Sequence, residues 1–330
     1  MKIFAYFVRD DEIEYFDNWA KQHPEVEVEY TSEILTLDNV ARAKGADVIN
    51  TMLMPVTAEI IAELSSYGIN IITTKNVGTD NIDFDAARKY GFKISNVPSY
   101  SPNAIAEHAV MQILRSLRQA KVVDARILTH DLRWAPTIGR ELRMQTVGVI
   151  GTGNIGRVVI QILQGFGAKV VAYDLYRNAD IETQGLYVDS LEELYRQADV
   201  ISLHVPGVPA NDRMINADTI ALMKDRAVLV NVSRGNLVDT NAVLAALDSG
   251  KLAAFALDAY EAETGVFNAD WRDRPFPDAR LAAMLERQDI LVTPHSAFYT
   301  DKAVEEMVTK SLDNGLLYMQ GETPASNIPV

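Results

Sequence analysis

Three glycines set directly behind an apolar strand constrain this chain more than any other feature. Residues 146–150, Thr-Val-Gly-Val-Ile, run into Gly151, Thr152, Gly153, Asn154, Ile155 and Gly156, and a helix-like stretch follows to about residue 165. A lone G-x-G-x-x-G is a weak signal, but between a strand and a helix it has a mechanism. Gly151 allows the tight turn, Gly153 lets the backbone approach a pyrophosphate, and Gly156 lets helix and strand pack closely. The helix N-terminus at Asn154 and Ile155 then offers free N–H groups to the phosphates. The next strand, 169–173, ends at Asp174. A carboxylate there accepts from a ribose 2′-hydroxyl and repels a 2′-phosphate, so the expected cofactor is NAD rather than NADP.

Around this motif the chain alternates strand-like and helix-like stretches in two series. The first has expected strands at 2–8, 26–30, 47–51, 70–74 and 91–95, with a helix at 11–22. The second has them at 146–150, 169–173, 200–203, 228–231, 253–257 and 290–292. Between the series, Pro98 and Pro102 punctuate the chain, and a long helix is expected over 103–119. A further helix is expected over 300–319, and residues 266–277 read as an irregular loop. Such alternation implies an α/β fold with parallel sheets covered on both faces, and the length suits two domains.

Composition removes several alternatives. With no cysteine, the chain has no disulfide framework, thiolate zinc site or cysteine nucleophile. Its net charge of -14 opposes nonspecific binding to nucleic acid or anionic membranes. The N-terminal apolar run breaks at Arg9-Asp10-Asp11, too early for a secretory leader. No apolar run approaches the roughly 20 residues of a membrane span. The expectation is a cytoplasmic protein without metal, membrane or nucleic-acid partners.

Reduction of a keto acid by a nicotinamide cofactor needs a cation to hold the substrate carboxylate and an acid to protonate the new alkoxide. It also needs a group that tunes that acid. In a doubly wound fold these should leave the carboxyl ends of strands. Arg234 follows the strand 228–231, Glu263 follows the strand ending at 257, and His295 follows the strand 290–292. Three successive strand ends thus deliver a guanidinium, a carboxylate and an imidazole. Among the five histidines, His204 also ends a strand and is the second candidate acid. His108 lies inside a helix, and His23 and His130 lie in polar contexts.

Together these residues resemble the D-isomer-specific 2-hydroxyacid dehydrogenases, nearest in pattern to their D-lactate dehydrogenase branch in lactic acid bacteria. The likeness extends through Lys75-Asn76-Val77-Gly78-Thr79-Asp80-Asn81-Ile82-Asp83, Asn96-Val97-Pro98, Ser101 to His108, His130 to Pro136, and Phe298-Tyr299. It implies two Rossmann-like doubly wound domains, with an NAD domain (101–299) inserted into a flavodoxin-like substrate domain (1–100 and 300–330), and an active site in the cleft between them. It further implies that Arg234 binds substrate, that His295 is the acid/base and that Glu263 pairs with it. By the same resemblance Val77 and Gly78 offer backbone donors to the substrate carboxylate, and Tyr100 and Phe298 line the pocket. Val205, Pro206, Asn211, Val232 and Asp258 would touch the cofactor. The family is usually dimeric through the NAD domain, so a homodimer acting on a small 2-keto acid or D-2-hydroxy acid is expected.

Three positions depart from the pattern, one of them Lys75, where relatives often carry arginine and the charge is kept. Met52 stands where the lactate enzymes tend to carry tyrosine, which implies room for substrates larger than pyruvate. Asn154 replaces a frequent histidine. A phosphoglycerate dehydrogenase is less expected, since no regulatory domain follows residue 330. So is a formate dehydrogenase, whose set resembles Arg-Gln-His where this chain has Glu263. A non-catalytic NAD-sensing corepressor of the same fold is the alternative from another class, although the long interaction tails expected of one are not seen.

Overall fold

The computed structural model describes residues 1–52, 54–79 and 81–330. Leu53, beside Met52, and Asp80, within the run from Lys75 to Asp83, lie outside the described residues. In chain order the strands are β1 (Lys2–Ala5), β2 (Glu27–Tyr30), β3 (Val48–Thr51), β4 (Ile71–Thr74), β5 (Lys93–Ser95), β6 (Thr146–Ile150), β7 (Lys169–Tyr173), β8 (Val200–Leu203), β9 (Ala227–Asn231), β10 (Leu252–Leu257), β11 (Ile290–Val292) and β12 (Asn327–Ile328). The chain forms two compact units, Met1–Ser101 with Tyr299–Val330, and Pro102–Phe298.

In the first unit the sheet order is β12-β5-β4-β3-β1-β2, parallel except for β12, which runs antiparallel to β5. Successive residues point to opposite faces. Phe4, Ile49, Ile72 and Ile94 enter one apolar layer, and Ile3, Ala5, Val48 and Ile71 enter the other. The second layer is closed by the helices Ile13–Gln22 and Asp301–Met319 through Phe16, Trp19, Val308 and Leu312. Thr300 starts the latter helix by accepting from the Ala303 N–H.

The second unit has the all-parallel order β11-β10-β9-β8-β6-β7. Its strands are buried on both faces, as the near-continuous Val, Ile, Leu and Ala runs require. Val147 and Val149 face the layer of helices Pro102–Leu117 and Asn154–Gly165, while Ile150, Leu203 and Leu257 face the opposite one. Both sheets therefore carry the flavodoxin-like 2-1-3-4-5 order, each extended by one strand.

Three local expectations are corrected. The first strand ends at Ala5 rather than residue 8, because Phe7 adopts a left-handed backbone with φ of 54°. The helix expected over 103–119 spans Pro102–Leu117 and stops because Gln119 also turns left-handed, at φ of 51°; a second helix, Ala120–Leu128, begins beyond it. The edge strand β12 was not foreseen.

Candidate active site

The register of the second sheet decides where its loops emerge. Ile150, Tyr173, Leu203, Asn231, Leu257 and Val292 are aligned partners across the six strands. Parallel strands ending together release their following loops at one edge. The winding reverses at β6, which lies between β7 and β8, and in such sheets ligands bind at the carboxyl ends beside that reversal. The glycine turn begins there.

Each glycine has a distinct physical requirement. Gly151 has φ of 95°, and a Cβ on it would stand 2.3 Å from the His204 carbonyl oxygen. A Cβ on Gly156 would meet the Gly151 carbonyl oxygen at 2.0 Å, so helix and turn could not close together. At Gly153 a Cβ would meet no protein atom within 4 Å. Protein packing therefore does not demand glycine at 153, whereas a pyrophosphate lying against the backbone would. The twelve-residue helix Asn154–Gly165 follows with no acidic residue in its first turn, which suits a phosphate at its positive end.

Asp174 is fixed beside this turn. One carboxylate oxygen accepts from the Thr152 N–H at 2.6 Å and its hydroxyl at 3.0 Å, and the other accepts from the Tyr176 N–H at 2.9 Å. Arg177, the nearby cation that could favour a 2′-phosphate, is paired with Glu182 at 3.0 Å and Asp189 at 3.3 Å. Asp174→Ala is expected to weaken NADH binding and raise the NADPH-to-NADH ratio of specificity constants, because it removes both an acceptor and a like charge. A ratio unchanged by the substitution would mean that Asp174 does not face the ribose.

The loops after β9, β10 and β11 carry the other residues. His295 Nδ1 and Glu263 Oε1 are 2.7 Å apart. The second Glu263 oxygen accepts from the Tyr260 N–H at 2.9 Å, which orients the carboxylate. With Nδ1 so occupied, Nε2 is the imidazole atom left to exchange a proton, and among the described residues it makes no hydrogen bond. His295 has a left-handed backbone, φ of 53°, which costs energy in a residue with a Cβ. Asp258 stabilises it: its carbonyl accepts from the His295 N–H at 2.8 Å, and its buried carboxylate accepts from the Thr293 hydroxyl and the Ser296 and Ala297 N–H groups at 2.6, 2.9 and 2.9 Å. The Thr293 oxygen also lies 3.0 Å from His108 Nε2 and 3.2 Å from Gln112 Nε2. None of this bracing was signalled by the sequence, since the partners lie up to 185 positions apart.

Burial works to lower the His295 pKa, but the hydrogen bond and charge of Glu263, with the charge of Asp258, outweigh it. Arg234 opposes them, and the net direction is upward. His204 goes the other way: burial pushes it down to about 4, and its Nε2 lies 2.8 Å from the Ser202 hydroxyl. It is neutral at physiological pH and has no proton of the required acidity to give.

Arg234 leaves the same edge. Its Nη1 donates to the Ser233 carbonyl at 2.9 Å, while its own carbonyl accepts from Asn231 Nδ2 at 2.9 Å. Of the expected cofactor neighbours, Val205 accepts the Ser233 hydroxyl through its carbonyl at 2.5 Å, and Asn211 Nδ2 donates to the Pro206 carbonyl at 2.9 Å. Val232 is buried, Asn154 accepts from Arg157 at 2.8 Å, and Ile155 packs on the core. Phe298 ends this unit, whereas Met52, Val77, Gly78 and Tyr100 belong to the other. Met52 is buried, with its sulfur 3.4 Å from Arg9 Nη1. The Val77 carbonyl accepts from Asn96 at 2.6 Å, and the Gly78 carbonyl accepts from the Asn76 amide. Among the described residues no three His, Asp or Glu side chains gather as metal ligands, and no helix is long and apolar enough to cross a membrane.

Comparison with known proteins assigns the family. Residues 110–297 match the model of the D-isomer specific 2-hydroxyacid dehydrogenase NAD binding domain. The chain is 57% identical over 327 residues to a D-lactate dehydrogenase of Lactobacillus delbrueckii subsp. bulgaricus, covering 98% of both proteins. Among solved structures it superposes on a D-2-hydroxyisocaproate dehydrogenase with a TM-score of 0.92, at 44% identity and 99% coverage of each chain. An NAD-complexed D-isomer specific 2-hydroxyacid dehydrogenase from the same Lactobacillus subspecies gives a TM-score of 0.88, at 35% identity and full coverage of both. The chain belongs to the D-isomer-specific 2-hydroxyacid dehydrogenases. It is an NAD-dependent oxidoreductase, and the non-catalytic corepressor alternative finds no support in these relatives.

Proposed function

We propose that the protein reduces pyruvate to D-lactate in the cytoplasm, with His295 as acid, Glu263 as its tuning partner and Arg234 as the carboxylate-binding cation. The observation that carries this reading is the 2.7 Å contact of His295 Nδ1 with Glu263, which leaves Nε2 available. Gly151, Gly153, Gly156 and Asp174 would hold NADH, which would supply the hydride. Arg234 holds the substrate carboxylate through a planar fork that suits it. His295 gives its Nε2 proton to the developing alkoxide, and Glu263 stabilises the imidazolium before that transfer. Val77, Gly78, Met52, Tyr100 and Phe298 complete the substrate contacts.

A pH profile tests the pairing. Reduction needs protonated His295, and the raised pKa keeps that form present to higher pH. Glu263→Gln removes the larger raising influence and leaves that of Asp258, so the alkaline fall in kcat/KM for reduction is expected at lower pH. A profile identical to wild type would remove Glu263 from this role.

Substrate breadth follows from Met52. Its flexible thioether can repack around a side chain larger than methyl, and each additional buried methylene contributes about 0.8 kcal/mol. Measurable turnover of ketoisocaproate and phenylpyruvate is expected beside that of pyruvate. Specificity constants for the three acids test this, and an enzyme confined to pyruvate would contradict it. We also propose a homodimer through the second unit, where Leu128, Leu132, Trp134 and Ile138 are each at least 78% exposed. Apolar side chains gathered on one surface segment suit a partner protein. Sedimentation of a monomer at assay concentration would argue against it.

A further inference from the structure

Lys75 has no exposed surface, and neither has Glu12. Such residues are almost never fully buried unless paired. Here Lys75 Nζ stands 2.8 Å from Glu12 Oε2, donates to the Phe7 carbonyl at 3.1 Å, and lies 5.4 Å from the Phe16 ring centre. The same Glu12 oxygen accepts from the Arg9 N–H at 2.9 Å, and the Lys75 N–H donates to the Thr51 carbonyl at 3.0 Å. The pair therefore ties together the chain leaving β1, β3 and β4. In this sheet the winding reverses at β1, which lies between β2 and β3, so the carboxyl ends of β1 and β3 flank the expected ligand position. Stability alone does not account for the pair, because apolar side chains of similar volume are often as stabilising as a buried ion pair.

We infer that the Lys75–Glu12 pair is a positioning device, setting the turns that carry Met52 and Val77–Gly78 in the geometry that binds the 2-keto acid. The inference rests on the substrate contacts proposed above. It is tested with Lys75→Met/Glu12→Leu, which removes both charges and leaves no carboxylate unpaired, and with Lys75→Arg, which keeps the charge. Displaced substrate loops should raise KM for pyruvate by about tenfold or more in the double variant and lower kcat by less than about threefold. NADH affinity, read by fluorescence, should be unchanged, since the glycine turn belongs to the other unit. Lys75→Arg, with the charge kept, should hold KM near that of wild type. A folded double variant that binds NADH and keeps the wild-type KM would overturn the inference while leaving the wild-type activity in the same assay intact. A double variant that neither folds nor binds NADH would also overturn it, by showing that the pair is needed for folding rather than for substrate. A wild-type enzyme without turnover of any 2-keto acid would remove both readings.

Discussion

His295→Gln is expected to bind NADH and keep its fold, yet to lose about 10²–10⁴-fold or more in turnover, because the amide that replaces the general acid cannot give up a proton. Glutamine retains polarity and similar bulk, so a loss of turnover without a loss of cofactor affinity isolates proton transfer. The left-handed backbone at this position makes thermal stability a necessary control, because histidine is among the residues that tolerate φ of 53° and glutamine is not. Single-turnover rates of hydride transfer, followed by NADH absorbance, read the chemical step directly. A variant with near-wild-type rates would remove His295 from the role of acid and return attention to other donors.

Gly235→Ala is expected to be nearly as damaging although it adds only a methyl group. A Cβ at this position would stand 2.1 Å from the Tyr260 carbonyl carbon and 2.2 Å from the Glu261 nitrogen. Both are backbone atoms, so relief requires the loop after β9 to move away from the loop after β10. Arg234 is on the first loop and Glu263 on the second. Overpacking of this kind costs about 1–3 kcal/mol of stability, and a shift of about 1 Å in a catalytic array can cost about 10²-fold in rate. Lower Tm together with lower kcat/KM is the expected outcome, measured by thermal unfolding and steady-state kinetics. Wild-type values in both would mean that the two loops are free to separate without consequence.

What could be read from the sequence was what is local. The glycine turn, its preceding strand, its helix and Asp174 lie within 29 residues, and each demand on them comes from the backbone or from the cofactor. Arg234, Glu263 and His295 are legible as candidates because each follows an apolar run whose end is visible. The features that escaped detection depend on partners distant in the chain. Nothing near Asp258 announces that its carboxylate braces the loop of His295, and Phe7 and Gln119 give no hint of a left-handed backbone, since neither is glycine or asparagine. β12 is two residues long and becomes a strand only by pairing with β5. The pairing of Arg177 with Glu182 and Asp189 is likewise set by the fold and not by the residues beside Asp174.

The most direct test of the central claim is the wild-type reaction with NADH and pyruvate, followed by chiral separation of the product. Consumption of NADH with D-lactate as the sole enantiomer is the predicted result. L-lactate, or bound NADH with no turnover of pyruvate or any larger 2-keto acid, would contradict it.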